Sequence, residues 1–175
     1  MTYRFLTMAV YLNSRGLAYV IFESERAPVD WRVVETRGSK KSEKLLARVE
    51  TLFNRLRPNI LILEKMSDTR GGRSPRIRRL NEAIVQLASR HRVPSVCFTR
   101  MEVRKQFEHL GIVTKDAIAL AIARQITAFE LFLPRTRKPW QSEDARMGIF
   151  DAAALVLTFY HTAPVVDPNG SEIER

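Results

Sequence analysis

The chain has 175 residues, of which 29 are Lys or Arg and 19 are Asp or Glu, a formal net charge of +10. That length suits a single domain with a true core, and the basic surplus points to a polyanionic partner, either nucleic acid or an anionic membrane surface. Cys97 alone excludes an internal disulfide and a cysteine-rich zinc module, while His91, His109 and His161 lack metal-ligand spacing.

No apolar run is long enough to span a bilayer and the N-terminus lacks a signal-peptide layout, so a reducing cytosol is the expected compartment. Residues 3 to 12 and 17 to 24 read as strands, joined by the turn composition of Asn13-Ser14-Arg15-Gly16. Val29 to Thr36 is a third strand, and three short strands in tight succession predict an antiparallel meander. The period then changes. From Ser39 to Leu56 the positions Leu45, Leu46, Val49, Leu52, Phe53 and Leu56 recur at helical spacing, and Pro58 ends that helix.

The next stretch, "NILILEKM", residues 59 to 66, is an apolar strand that ends on an acid, Glu64. Residues 75 to 91 read as a helix with a basic start, and Pro94 to Phe98 as a fifth strand. Strand, helix, strand in this order implies parallel pairing through right-handed crossovers. Thr99 with Glu102 forms a capping-box pattern for a short helix to about Leu110, and Thr114 can cap a longer one from Lys115 to about Leu131. After the basic stretch "PRTRKPW", a last helix is predicted from Ser142 to Thr162, followed by a polar, loose tail at 164–175.

The predicted molecule is therefore an α/β domain spanning residues 1–163, a mixed five-stranded sheet of three antiparallel and two parallel strands with helices on both faces. Ligands in such sheets gather at the carboxyl ends of the parallel strands, where Glu64 stands. A second singular acid, Asp151, lies in "MGIFDAAALVLTFYH" on an otherwise apolar helical face, among the small residues Gly148, Ala152, Ala153 and Ala154. A buried carboxylate needs a partner. The ordinary partner is an Arg or Lys; the alternative is a pair of carboxylates holding Mg²⁺ against a phosphate.

The segments "PNILILEKM", "VPSVCFTRMEVRKQFEHLGIVTKDAIALAIA" and "FDAAALVLTFYH", in this order and spacing, resemble the RuvC-type Holliday-junction resolvases of the ribonuclease H-like superfamily. The resemblance runs from about residue 5 to residue 161. It implies a ribonuclease H-like fold, endodeoxyribonuclease chemistry with Mg²⁺ or Mn²⁺, branched DNA as partner, and homodimers that pair through a helix on the sheet's face. For the last role the apolar helix Ile77 to Leu87 is a candidate, although its pattern equally suits core packing. By this resemblance Glu64 and Asp151 match two metal-binding, catalytic acids, Lys115 matches a basic catalytic residue, and Arg104 matches a second basic position.

The pattern also departs from the family. Tyr11 stands where the first strand should carry its central Asp, and Gly148 stands where a further Asp or His is expected. Two repairs come from Glu143 and Asp144, the latter seven residues before Asp151 and on nearly the same helical face, although helix capping is the more ordinary role for both. Asn13 offers an amide oxygen. Tyr11 reads as a packing residue over a vacated site, or as a ring for base stacking.

Between Lys65 and Arg79 the sequence "KMSDTRGGRSPRIRR" carries six basic residues and one acid, with Gly71-Gly72 as a hinge. Arg70, Arg73, Arg76, Arg78 and Arg79 there, Arg135, Arg137 and Lys138 before the last helix, and Arg104 and Lys115 form the predicted nucleic-acid surface. Arginine-rich loops without base-reading geometry favour recognition of backbone and shape. No basic stretch carries a continuous apolar face, which disfavours a membrane surface. The reading is a RuvC-like protein that binds structured or branched DNA with an impaired or inactive site. An active Mg²⁺-dependent endonuclease with a rebuilt carboxylate site is one alternative, and a protein-interaction domain is another.

Overall fold

The computed structural model describes residues 5–66, 73–112, 114–138, 140–162, 165–166 and 172–173. Strands β1 (Thr7–Leu12), β2 (Gly16–Ser24) and β3 (Ala27–Glu35) form the predicted meander, and β4 (Ile60–Glu64) and β5 (Ser95–Phe98) extend it. The sheet order is β3-β2-β1-β4-β5. The first three strands pair antiparallel, whereas β1 with β4 and β4 with β5 pair parallel, as the intervening helices require. The β1–β2 turn is held by Asn13, whose Oδ1 accepts from the backbone N–H groups of Arg15 and Gly16. Gly16 is obligatory there: a Cβ would lie 1.9 Å from the Val34 carbonyl oxygen.

Side-chain alternation along the strands divides the interior into two cores. Met8, Val10 and Leu12 of β1, with Leu61 and Leu63 of β4, face helices α1 (Lys41–Leu56) and α2 (Pro75–Arg90). Ala9 and Tyr11, with Ile62, face the opposite core beneath helices α3 (Arg100–Glu108), α4 (Lys115–Gln125) and α5 (Met147–Thr162). By the same parity Glu64 points to the α5 side. The register puts it beside Tyr11, one step past the paired Val10 and Leu63. The apolar stripe of α2, Ile77, Leu80, Ile84 and Leu87, is buried in the α1–α2 core, so the core uses the face that also suited dimer pairing.

Helix starts follow their side-chain caps. Ser74 caps α2 with Pro75 at the first helical position, Thr99 and Glu102 form the predicted capping box, and Thr114 caps α4. Two boundaries differ from the sequence expectation. Helix α4 stops at Gln125 because Ile126 turns extended (φ −123°, ψ 90°), and Thr127–Phe132 continues as a 3₁₀ segment. That break sends Phe129 into a cluster of edge-on rings with Phe22, Trp31 and Phe150, at centroid distances of 5.2 to 6.1 Å. The last helix begins at Met147 rather than Ser142, so residues 142–144 precede it as irregular chain.

Helix α5 is buried almost all round and packs across β1, β2 and β4. Its approach to β2 is close: a Cβ on Gly148 would meet the Ala18 Cβ at 2.9 Å. A short antiparallel pair, Val165–Val166 with Glu172–Ile173, follows. The predicted loose tail otherwise lies outside the described residues, as do Arg70 and the Gly71-Gly72 hinge.

Candidate nucleic-acid interface

At the carboxyl edge of β1 and β4 a cavity of about 360 Å³ opens between the sheet, α3, α4 and α5. Tyr11, Glu64, Arg73, Lys115 and Asp151 line it together, with Arg100, Arg104 and Glu143 around them and Val103, Ile118 and Phe150 among its apolar walls. The two acids singled out in the sequence thus meet at one site. So do the two basic residues carried over from the resemblance.

Each acid arrives with its own cation. Glu64 is 6% exposed, and both carboxylate oxygens are engaged: Arg73 Nη2 donates to Oε2 at 2.9 Å and Arg100 Nε to Oε1 at 2.6 Å. Lys115 Nζ lies 2.8 Å from Asp151 Oδ2 and 2.8 Å from Glu143 Oε1. Burial pushes the Asp151 carboxyl up to about 6, more than the neighbouring Lys115 holds it down. Lys115 is shifted upward: burial is the largest influence and opposes its charge, but Asp151, Tyr11 and Glu143 together outweigh it.

Tyr11, at the position where the resemblance implies a first-strand acid, is a packed ring, 9% exposed. Arg73 donates a hydrogen bond to its hydroxyl, and the Arg73 guanidinium carbon stands 4.9 Å from the ring centre. Lys115 Nζ is 5.5 Å from the same ring. Two cations therefore stand within cation–π distance of the ring, a favourable quadrupole interaction that needs no negative charge. Burial raises the phenol's pKa, so Tyr11 remains neutral and supplies no anionic oxygen.

These residues do not fit a divalent ion. Hard cations require several free carboxylate or carbonyl oxygens. Here both oxygens of Glu64 are engaged, Asp151 lies 2.8 Å from Lys115, and the two positions where the resemblance implies further ligands hold Tyr11 and Gly148. No group of three or more His, Cys, Asp or Glu able to hold a metal exists among the described residues. Asp144 does not repair the site. It pairs with Arg146 at 2.6 Å and lines a separate groove, because residues 142–144 are not helical and the seven-residue spacing sets no common face. Glu143 does reach the cavity, as the counter-ion of Lys115 rather than as a helix cap. Asn13 is used by its turn.

The predicted basic surface divides. Arg73 turns inward and is only 17% exposed at its side chain. Arg76 donates to the Ser14 carbonyl oxygen, and Arg79 lines a groove between α1 and α2. Arg135 and Arg137 line the groove next to the cavity together with Arg15 and Arg146, and Lys138 stands over the exposed Trp140 ring at 5.4 Å. Arg100 escaped the sequence reading. Its signal was topological: it follows directly on the end of β5, at the same edge as Glu64.

No protein-family model matches the chain. The crossover junction endodeoxyribonuclease RuvC of Prochlorococcus marinus (strain MIT 9211) is 25% identical over 115 residues, which are 66% of this chain and 65% of that protein, slightly less than two thirds of its length. Thermus thermophilus RuvC in complex with a Holliday junction substrate superposes with a TM-score of 0.63 at 17% identity, over 91% of this chain and 96% of that one. A second Thermus thermophilus RuvC structure gives 0.63 at 19% identity, over 87% and 92%. The chain thus has the fold of the RuvC structures and is similar in sequence to a RuvC crossover junction endodeoxyribonuclease.

Proposed function

We propose that this chain binds structured or branched DNA in the cytosol and does not cleave it by a divalent-metal route. One observation carries this reading: the two family acids that remain, Glu64 and Asp151, are each ion-paired with a fixed Arg or Lys of the chain itself. The net charge of +10 and the clustering of Arg104, Lys115, Arg135 and Arg137 around the cavity and its neighbouring groove, with Lys138 next in the chain, support a phosphate-rich partner. Arg76, Arg78 and Arg79 along α2 add basic residues on the α1–α2 side, and Arg70 lies outside the described residues. The Holliday junction bound by the Thermus relative supports branched DNA as the form to test first. A homodimer would suit a two-fold junction, through a surface other than the buried stripe of α2.

The test uses the full chain with a labelled four-way junction and a duplex of the same sequence. Retardation of the junction in preference to the duplex is expected, with no nicking in Mg²⁺ or Mn²⁺. Affinity should fall steeply with salt, at a slope of about −0.9 per phosphate contact, and Arg135→Ala with Arg137→Ala should lower both affinity and slope. Robust Mg²⁺-dependent cleavage that disappears in Glu64→Gln would overturn the inactive reading in favour of a rebuilt endonuclease site. No binding of either DNA would overturn the nucleic-acid reading as a whole.

A further inference from the structure

We infer that the cavity between the sheet and α5 is a metal-independent phosphate site, in which Arg73 stands as a resident cation and Arg100, Arg104 and Lys115 face one phosphodiester of the DNA backbone. The inference rests on the DNA-binding reading and assigns it a place and a chemistry. It starts from charge. The cavity lining holds four basic side chains, Arg73, Arg100, Arg104 and Lys115, against three carboxylates, Glu64, Glu143 and Asp151. Arg73 and Arg100 engage both oxygens of Glu64, and Lys115 stands 2.8 Å from both Asp151 and Glu143, so an entering divalent cation competes with cations of the chain itself for these carboxylates. An entering anion displaces nothing.

Donor geometry agrees. A guanidinium carries five N–H donors and no acceptor. Arg100 commits its Nε to Glu64 and remains 66% exposed at its side chain, so its terminal nitrogens stay open to the cavity. Arg73 uses Nη2 for Tyr11 and Glu64, and its buried Nε has no hydrogen-bond partner among the described residues. Arg104 lines the cavity and pairs with no carboxylate among the described residues. Val103, Ile118, Phe150 and Leu155 contribute apolar wall, which lowers the local dielectric and strengthens the attraction for a phosphate. Tyr11 completes the arrangement by holding Arg73 in place without adding negative charge. The positive charge that a bound metal would bring to the DNA backbone is here covalently part of the chain.

The experiment measures binding of a fluorescent four-way junction to the full chain by anisotropy, in EDTA and in Mg²⁺ at matched ionic strength. It compares wild type, the double variant Arg100→Gln/Arg104→Gln, and Arg135→Gln/Arg137→Gln as a reference outside the cavity. Arg104 is exposed and pairs with no carboxylate among the described residues, so Arg104→Gln alone should keep the wild-type thermal transition; the double variant, which also takes a donor from Glu64, is compared at a temperature below its own transition, checked by circular dichroism. The expected result is binding in EDTA at least as tight as in Mg²⁺. In the double variant affinity should fall about ten-fold and the salt slope by about 0.9, the loss of one neutralised phosphate. Binding that appears only with Mg²⁺, or a double variant with wild-type affinity and slope, overturns the phosphate site while leaving DNA binding to the outer arginines. No binding by wild type in either condition overturns the DNA reading and this inference with it.

Discussion

Glu64 and Asp151 illustrate two ways to keep a carboxylate inside a protein. Glu64 is surrounded by donors on both oxygens, so its charge is compensated where it stands. Removing that charge strands Arg73, which is itself mostly buried. Glu64→Gln should therefore destabilise the fold by about 3 kcal/mol, the lower end for a broken buried pair because Arg100 can turn to solvent, as urea denaturation would register. An unchanged or raised stability would mean instead that Glu64 is repelled by a neighbouring acid, as metal-binding carboxylates are. Asp151 behaves oppositely. Its carboxyl is raised from 3.8 to about 6 by burial, so between those values the folded chain holds a proton that the unfolded chain has released. Stability from this group is fully present below about pH 4 and is lost as pH rises through 6. Asp151→Asn should flatten that fall in a series of denaturant melts from pH 4 to 7. A slope unchanged from wild type would assign the titration to another group.

At the scale of elements, the contact of α5 with β2 decides which side chains the site can hold. Gly148 crosses Ala18, and Ala18 pairs with Tyr11 across the β1–β2 ladder, so glycine, alanine and the tyrosine ring fit together as one layer. An acid at position 148 cannot be accommodated without pushing α5 off the sheet. Gly148→Asp should cost about 1–3 kcal/mol through overpacking, and Ala18→Gly in the same chain should return part of it. Equal melting temperatures for wild type and Gly148→Asp would show that α5 yields at no cost. The other elements were largely legible in the sequence because their signals are local: periodicity for α1 and the apolar pattern of α2, the capping residues Thr99 and Thr114, and the β1–β2 turn. The start of α5 and the end of α4 were not. Ile126 turns extended to bury Phe129 among rings from β2, β3 and α5, a preference set by partners distant in sequence.

For the whole molecule, the sequence by itself determined the order of elements, the mixed sheet with its parallel half, the RuvC-like resemblance, and the two acids that had to find partners. The apolar run of the fourth strand and the order of strands and helices were enough to predict a sheet with helices on both faces, and the crossover rule enough to bring Glu64 to the ligand edge. Only the tertiary structure decided what the acids meet. Arg73 lies 9 residues from Glu64 and Arg100 lies 36 away, and nothing in either local sequence distinguishes them from the other arginines of a chain with 29 basic residues. Glu143 looked like a helix-capping acid until the chain before Met147 proved irregular and carried it to Lys115. The physical reason is that pairing energy depends on distance and burial, which the fold sets, whereas residue type and spacing fix only which pairings are chemically available.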